Sequence, residues 1–506
     1  MSANYVLAID AGTSGVHSLL TDIAGHLVSS CYHEWHYQSP EDTGPLGKEF
    51  SPVSFWGIIC DSVKEVVSKA GIHTQEIAGV SATSQRQGAV FLDKDGGELY
   101  AGPNIDLRAL IQGSTLDSKF GKEVYAITGH LPSFLFVPAK LKWFEANRPD
   151  IYGKIATILT ISDWIIYRLC GECVSEVCGA AELGLVDIQR RDWSKRLRKL
   201  LDLPDGAYPQ LVPAGSQVGR VTRQAAAETG LVAGTPVVQG APDTHCALIG
   251  MGVTRKGQIG IVIGWSAPVQ MVTDKPILDA GARTWTGCHP LTDRWVLESN
   301  AGDAGNAYHW LKGILFGGED SAEAYHLMDS LAVEAPAGAQ EVQAFVGPAT
   351  MDMSHPGMKL GGFLFPVPVS VTGIGRGHLI RAVLENLCFA VKANCAQIET
   401  LSGMKIEGVS LGGSLAKSRC LVQMLPNVIG IPVYIPEMIE ISALGAAICA
   451  AVGSGVYSSL EEGMKAMVPQ FRNIEPDSLT SLEYTEYYER WMAIAEWLTT
   501  LGEAMK

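Results

Sequence analysis

Short apolar runs closed by Gly or Asp recur along the chain: YVLAID from Tyr5, AVFLD from Ala89, TPVVQG from Thr235, IGIVIG from Ile259 and GVSLGG from Gly408. Runs of this kind, bounded by turn-forming residues, predict buried β-strands. Between them the period changes. Apolar residues return every third or fourth position over Ser54 to Ala70 (Phe55, Trp56, Ile59, Val63, Val66, Val67), and again over Leu379 to Leu401 and Leu482 to Leu501. That spacing is helical. Strands alternating with helices predict an α/β fold.

A seam falls near residue 245. Gly234 to Cys246 reads as strand, tight turn and helix start, after which GQIGIVIG and APVQMV form a fresh strand pair. That pair matches NYVLAID followed by GVHSLLTDI at the start of the chain, so two halves of related topology are expected, 1–246 and 247–506, each opening with a hairpin. The Pro- and Gly-rich region from Glu334 to Pro368 reads as an irregular insertion.

Composition narrows the function classes. The chain has 506 residues, of which 47% are apolar and 18% charged, enough material for large cores and incompatible with disorder. Its formal charge of -15, with no Lys/Arg run to override it, argues against nucleic acid and against anionic membrane surfaces. The most membrane-like stretch, IATILTISDWIIYRL from Ile155, is interrupted by Asp163 and several hydroxyls. The opening MSANYVLAID lacks a basic n-region and a long apolar core, so export is not expected. Eleven scattered cysteines suit a reducing compartment, the cytoplasm. Cys170 and Cys173 form a lone CxxC without a second pair at zinc spacing, and are read as incidental thiols.

Four segments are candidates for chemistry. Asp10, Ala11, Gly12, Thr13, Ser14 and Gly15 follow directly on a strand: small residues and hydroxyls there present N–H groups to an anion, and the carboxylate holds a cation beside it. The alternative is an ordinary hairpin turn. Asp243, in QGAPDTHCALIG, is either the N-cap of a helix or a general base that accepts an alcohol proton late in phosphoryl transfer. Gly264, Trp265, Ser266 and Ala267 lie at the second hairpin turn. Gly412 and Gly413 end the GVSL strand, where glycines either admit a flat ring or allow tight helix packing. No GxxxxGK[ST] loop and no HRD or DFG set occurs.

Taken in order, these segments resemble the FGGY carbohydrate kinases of the actin and hexokinase-like ATPase superfamily. LAIDAGTSGVHSLLTD resembles the family's first phosphate loop, GAPDTHCALIG its catalytic-base segment, IVIGWSAPV its second phosphate loop, and NAGDAGNAYHWL its nucleotide-side helix. GGSLAKSRCLVQMLPNVIGIPV and ISALGAAICA resemble the adenosine segment, and Lys140, Leu141, Lys142 and Trp143 the interior signature. The resemblance implies two ribonuclease-H-like domains with a catalytic cleft between them, ATP and Mg²⁺ as cofactors, and a small sugar or polyol as substrate. A homodimer is compatible with it. It implies Asp243 as catalytic base; Arg86, Gln87, Asp106 and Thr244 at the substrate; Gly12, Thr13, Ser14, Gly264, Ser266, Gly305, Gly412, Gly413 and Lys417 at the nucleotide; and Asp10 with Asp243 at the metal.

Trp265, Val137 and Asn427 depart from the family pattern, which usually has a small hydroxyl residue, Pro, Ser or Thr, and Asp at these places. At the sugar-contact position Arg86 and Gln87 mix the pairs that resemble glycerol kinases (Arg, Glu), xylulose kinases (Met, His) and autoinducer-2 kinases (Arg, Glu, Gly). The segments around Arg148, Asn104 and Glu49 look most like the autoinducer-2 branch. Asp106 and Arg108 either reach a polyol or pair with each other, and His245 either tunes Asp243 or bonds to backbone. Two rival functions are an actin- or chaperone-like ATPase switch and a catalytically dead regulatory relative, although the latter would be expected to lack Asp243.

Overall fold

The computed structural model describes residues 4–317, 322–357 and 359–505. The chain divides into two compact units. The first holds Met1–Lys256, Val272–Val296 and Glu440–Pro469, and the second Gly257–Met271, Leu297–Ile439 and Gln470–Lys506.

The first unit is built on a six-stranded sheet ordered Gln217–Arg220, Pro236–Gln239, Ile77–Ser84, Tyr5–Ala11, Gly15–Asp22, Leu27–Glu34. Tyr5–Ala11 is the pivot: it runs antiparallel to Gly15–Asp22 and parallel to Ile77–Ser84. Val6, Leu7, Ala8 and Ile9 are wholly buried, as a strand covered on both faces requires. Helix Pro52–Ala70 starts where Ser51 caps the N–H of Ser54 at 3.3 Å and stops at Gly71, whose φ of +65° suits glycine. Its predicted apolar stripe packs on the hairpin strands.

The opposite face is covered by helix Ile441–Gly453, which crosses helix Asp243–Gly250 at close range. A Cβ on Gly445 would lie 1.9 Å from the Cys246 carbonyl oxygen, so only glycine permits this approach. The ISALGAAICA segment packs within the first unit and is almost entirely buried there.

In the second unit, Ile259–Val262 repeats the pivot arrangement: antiparallel to Pro268–Thr273 and parallel to Val409–Gly412, with Val433–Pro436 and Phe471–Ile474 beyond. The repeated hairpin expected from the sequence is present in both units. The Glu334 to Pro368 region carries more order than its composition suggests, holding a 3₁₀ turn at Ala337–Glu341 and an antiparallel pair of Gln343–Phe345 with Gly362–Leu364.

The apolar run from Ile155 divides into strand Thr157–Thr160 and helix Ile161–Cys170. Thr160 and Asp163 form a reciprocal capping box at the break, so the polar residues that interrupt the run are what start the helix. Among the described residues no helix is long and apolar enough to cross a membrane. All eleven cysteines are free, and of the CxxC pair Cys170 is buried while Cys173 is exposed.

Candidate active site

Asp10 lies near the end of Tyr5–Ala11, in register with His17 on one side and Thr83 on the other. The turn that follows is closed by the Gly12 N–H donating to Gly15 O at 2.9 Å. Its carbonyls are held inside the unit. Trp35 Nε1 and Tyr37 OH donate to Thr13 O at 3.2 and 2.5 Å, and Gln85 Nε2 donates to Gly12 O at 3.0 Å. Asn104 Nδ2 donates to Thr13 Oγ1 at 3.0 Å. A turn with its acceptors satisfied in this way presents a surface suited to an anion.

Asp243 comes from a different part of the fold. Strand Pro236–Gln239 runs parallel to Ile77–Ser84, and Thr83 Oγ1 donates to Ala241 O at 2.6 Å, fixing the connection. Gln239 Nε2 adds a 2.6 Å bond to Asp163. Pro242, not Asp243, is the N-cap; Asp243 is the first helical residue and accepts the Thr244 N–H at 2.7 Å. The expected N-cap role is therefore taken by its neighbour.

Burial, reinforced by repulsion from Asp243, pushes the Asp10 carboxyl up to about 8. Two like charges brought together in this way form an unfavourable pair that a hard divalent cation relieves, and carboxylate and hydroxyl oxygens are the donors such a cation takes. The residues present fit Mg²⁺.

Arg86 and Gln87 follow Ile77–Ser84. Gln87 adopts a left-handed backbone, φ +58°, and its carbonyl accepts from Lys140 Nζ at 3.2 Å. Lys140 is completely buried, and burial pushes its ammonium down to about 8 despite the attraction of Asp106. This lysine of the interior signature thus holds a strained turn in place. Around Arg86 and Gln87 the fold gathers residues that the sequence reading passed over. Gln87 Nε2 donates to Glu182 Oε2 at 2.8 Å, Arg86 Nη1 lies 3.6 Å from the same oxygen, and His130 Nε2 lies 3.6 Å from Oε1. Burial opposes the ionisation of Glu182, but Arg86, His130 and His245 outweigh it and hold the carboxyl well below the usual range. The Trp285 ring lies 5.6 Å from the Arg86 guanidinium carbon and donates its N–H to Leu131 O at 2.5 Å. No sequence signal marked Glu182, His130 or Trp285.

His245 Nδ1 is 3.4 Å from Thr244 Oγ1, and the ring is electrostatically coupled to Glu182, so the start of the Asp243 helix is joined to this cluster. Of the two readings of Asp106, the side chains adopt pairing. Its oxygens accept from Arg108 Nε at 2.8 and 3.0 Å, from Tyr100 OH at 2.6 Å and from the Lys48 N–H at 2.9 Å. Arg108 in turn meets Glu49 at 2.8 Å. Asp106 is fully buried and spends its acceptors within the protein.

In the second unit, the Gly264 N–H donates to Ser266 O at 2.9 Å and the Gly305 N–H donates to Gly264 O at 3.0 Å, seating the hairpin turn on the start of helix Ala304–Phe316. The Ile263 N–H donates to Gly412 O at 2.8 Å, and the Leu415 N–H to Ile263 O at 3.2 Å. Gly264, Ser266, Gly305, Gly412 and Gly413 are therefore drawn together. Gly413 has φ +94°, and a Cβ there would lie 2.5 Å from Ile263 O, so close backbone packing accounts for this glycine. Lys417 ends the 3₁₀ turn Ser414–Lys417 and lines a cavity of about 500 Å³ with Arg381, Arg419, Gln423 and Arg472, which none of those glycines lines. Trp265 is 52% exposed and does not fill the turn. Asn427 accepts the Asp477 N–H at 2.7 Å.

The model for the FGGY family of carbohydrate kinases, N-terminal domain, matches residues 5–250, and that for the C-terminal domain matches 260–454. An autoinducer-2 kinase from Yersinia enterocolitica is 30% identical, over 97% of this chain and 94% of that protein. The crystal structure of xylulose kinase from Rhodospirillum rubrum superposes with a TM-score of 0.83 at 26% identity, over 99% of this chain and 100% of that one. Plasmodium falciparum glycerol kinase with ADP shares the fold, with a TM-score of 0.82 at 17% identity over 98% of each chain.

Proposed function

This chain belongs to the FGGY family of carbohydrate kinases, and from that premise we propose that it transfers the γ-phosphoryl group of ATP to a terminal hydroxyl of a small linear sugar or polyol. The enzyme class, an alcohol-accepting sugar kinase, follows from the family. The finer reading, a ketopentose such as xylulose or an autoinducer-2-like tetrol, is supported by the names of relatives matched along nearly the whole chain. The observation that carries it is the coupling of two sites within the first unit: the Asp10–Asp243 pair and, through Thr244 and His245, the polar cluster of Arg86, Gln87 and Glu182.

Asp243 accepts the proton of the attacking hydroxyl. A carboxylate is a weak base, but a loose phosphoryl-transfer transition state asks for proton acceptance only late, so a positioned aspartate suffices. Arg86 and Gln87 orient the chain, and Thr244 offers its hydroxyl beside the base. Asp10 and Asp243 hold Mg²⁺, which when bound neutralises charge on the phosphate oxygens. Within the first unit Gly12, Thr13 and Ser14 offer N–H groups and hydroxyls to phosphate, and within the second unit Gly264, Ser266, Gly305, Gly412 and Gly413 are the candidate nucleotide contacts.

ADP release measured against a panel of pentuloses, polyols, aldonates and diketone tetrols tests the reading. Arg86→Ala is expected to raise KM and lower kcat together, because a buried donor lost from the pocket costs about 1–3 kcal/mol and lets the attacking oxygen drift out of line. A mutation that scales every substrate equally, or a ring-locked pyranose that outperforms the open chains, would sink this view of the pocket. Gly413→Ala is expected to weaken ATP binding about tenfold, since a left-handed residue that also presses on Ile263 strains the turn by 1 kcal/mol or more. Calorimetric titration with ATP checks it, and an unchanged affinity removes Gly413 from the nucleotide site.

A further inference from the structure

The cluster around Glu182 bears on acceptor class, an inference that rests on the kinase reading and deepens it. Glu182 ends helix Val177–Glu182 and is only 3% exposed. A carboxylate persists in such a place only when paired, and its partners here are Arg86, Gln87 and His130, all from other elements. Strand Trp285–Cys288 alternates its side chains, so Trp285 and Gly287 face the same way. Trp285 lies beside Arg86. At Gly287 there is no side chain, and a Cβ there would stand 3.5 Å from Glu182 Oε1, 3.8 Å from His130 Cε1 and 3.9 Å from His245 Nε2.

An arginine in a sugar pocket is the natural partner of a substrate carboxylate, because its planar fork binds both oxygens. Here a carboxylate of the protein already answers that charge. We propose that Glu182 sets the acceptor class: by matching Arg86 it reserves the pocket for uncharged polyhydroxy chains and turns away aldonates of the same length. Arg86 then serves hydroxyl or carbonyl oxygens, while a second carboxylate beside Glu182 meets like-charge repulsion in a poorly hydrated site. Specificity of this kind is built from repulsion of the wrong ligand as much as from attraction of the right one.

The test compares neutral and anionic acceptors of equal length, ribitol with ribonate and glucitol with gluconate, together with xylulose, by steady-state ADP release. Wild type is expected to favour the neutral member by about 100-fold or more in kcat/KM, and the near-isosteric Glu182→Gln to narrow that ratio at least ~10-fold, chiefly through KM for the aldonate. Arg86→Gln, which leaves Glu182 uncompensated, should widen the ratio. A merely structural role would lower both members of each pair alike. A ratio unmoved in Glu182→Gln, or a wild type that prefers aldonates, overturns the inference and leaves the kinase reading standing. If Glu182→Gln does not fold, Arg86→Gln decides, and a ratio there that stays or narrows overturns the inference. A wild type that releases ADP with none of these acceptors and with none of the diketone tetrols overturns the kinase reading and the inference with it.

Discussion

Asp243→Asn is expected to lower kcat by about 10²-fold or more while ATP affinity changes little, the scale of losing a general base whose geometry is kept. The asparagine keeps a side-chain oxygen, now an amide oxygen, to accept the Thr244 N–H, and the helix start stays fixed by the Thr83 bond to Ala241. What is lost is the capacity to take a proton, together with one charged ligand for Mg²⁺, so the rates are compared at saturating Mg²⁺ to isolate the proton step. Single-turnover rates separate the chemical step from product release, and calorimetry measures nucleotide binding independently. Activity within a few-fold of wild type would falsify the assignment of Asp243 as base.

Asp10→Asn should act in two directions at once. In the folded chain the carboxyl titrates at about 8, against 3.8 as the ordinary value. Folding therefore takes up a proton between these values, stability falls as pH rises through that window, and above it the whole cost of an ionised, buried Asp10 beside Asp243 is in place. The asparagine removes that cost. Without metal or nucleotide, the variant should melt about 2–5 °C higher than wild type at pH 8.5 and alike at pH 4, given the usual conversion of free energy to melting temperature for a large chain. Its turnover moves the other way, with the Mg²⁺ requirement raised by about tenfold or more, because one ligand of the cation is gone. Thermal melts across pH, paired with Mg²⁺ titrations of activity, check both arms. Should the Mg²⁺ curve and the pH profile of melting overlay wild type, Asp10 is a turn residue.

A gain in stability on removing a site carboxylate is the expected signature of a residue kept for chemistry at the expense of the fold. Lys140 belongs to the same class. Its buried ammonium holds one carbonyl of a left-handed turn, an arrangement that makes sense only if the position of Gln87 matters more than the cost of burying the charge.

The strands, the three long helices and both opening hairpins were legible in the chain because each depends on periodicity and punctuation within about 20 neighbouring residues. Ser51 before Pro52, Gly71 after Ala70, and Asp or Gly after each apolar run act on the backbone next to them. The phosphate-loop candidates were legible for the same reason, since Asp10 to Gly15 is one continuous segment, a strand end, a tight turn and the start of the next strand. Glu182 was not: it lies 95 residues from Gln87, and locally it is an ordinary glutamate at the end of a short helix. Nothing near His130 or Trp285 in the sequence distinguishes them either. Asp106 had two equal readings until Tyr100, Lys48 and Arg108 were seen to consume its acceptors. ISALGAAICA had the periodicity of a buried helix, but which unit buries it was decided by the Gly445 contact with Cys246. Local hydrogen bonding and hydrophobic period are written in neighbouring residues. Which buried charge meets which depends on how whole sheets and helices pack, because in a low-dielectric interior a polar group is stable only with the partner that the fold, and no nearby residue, supplies.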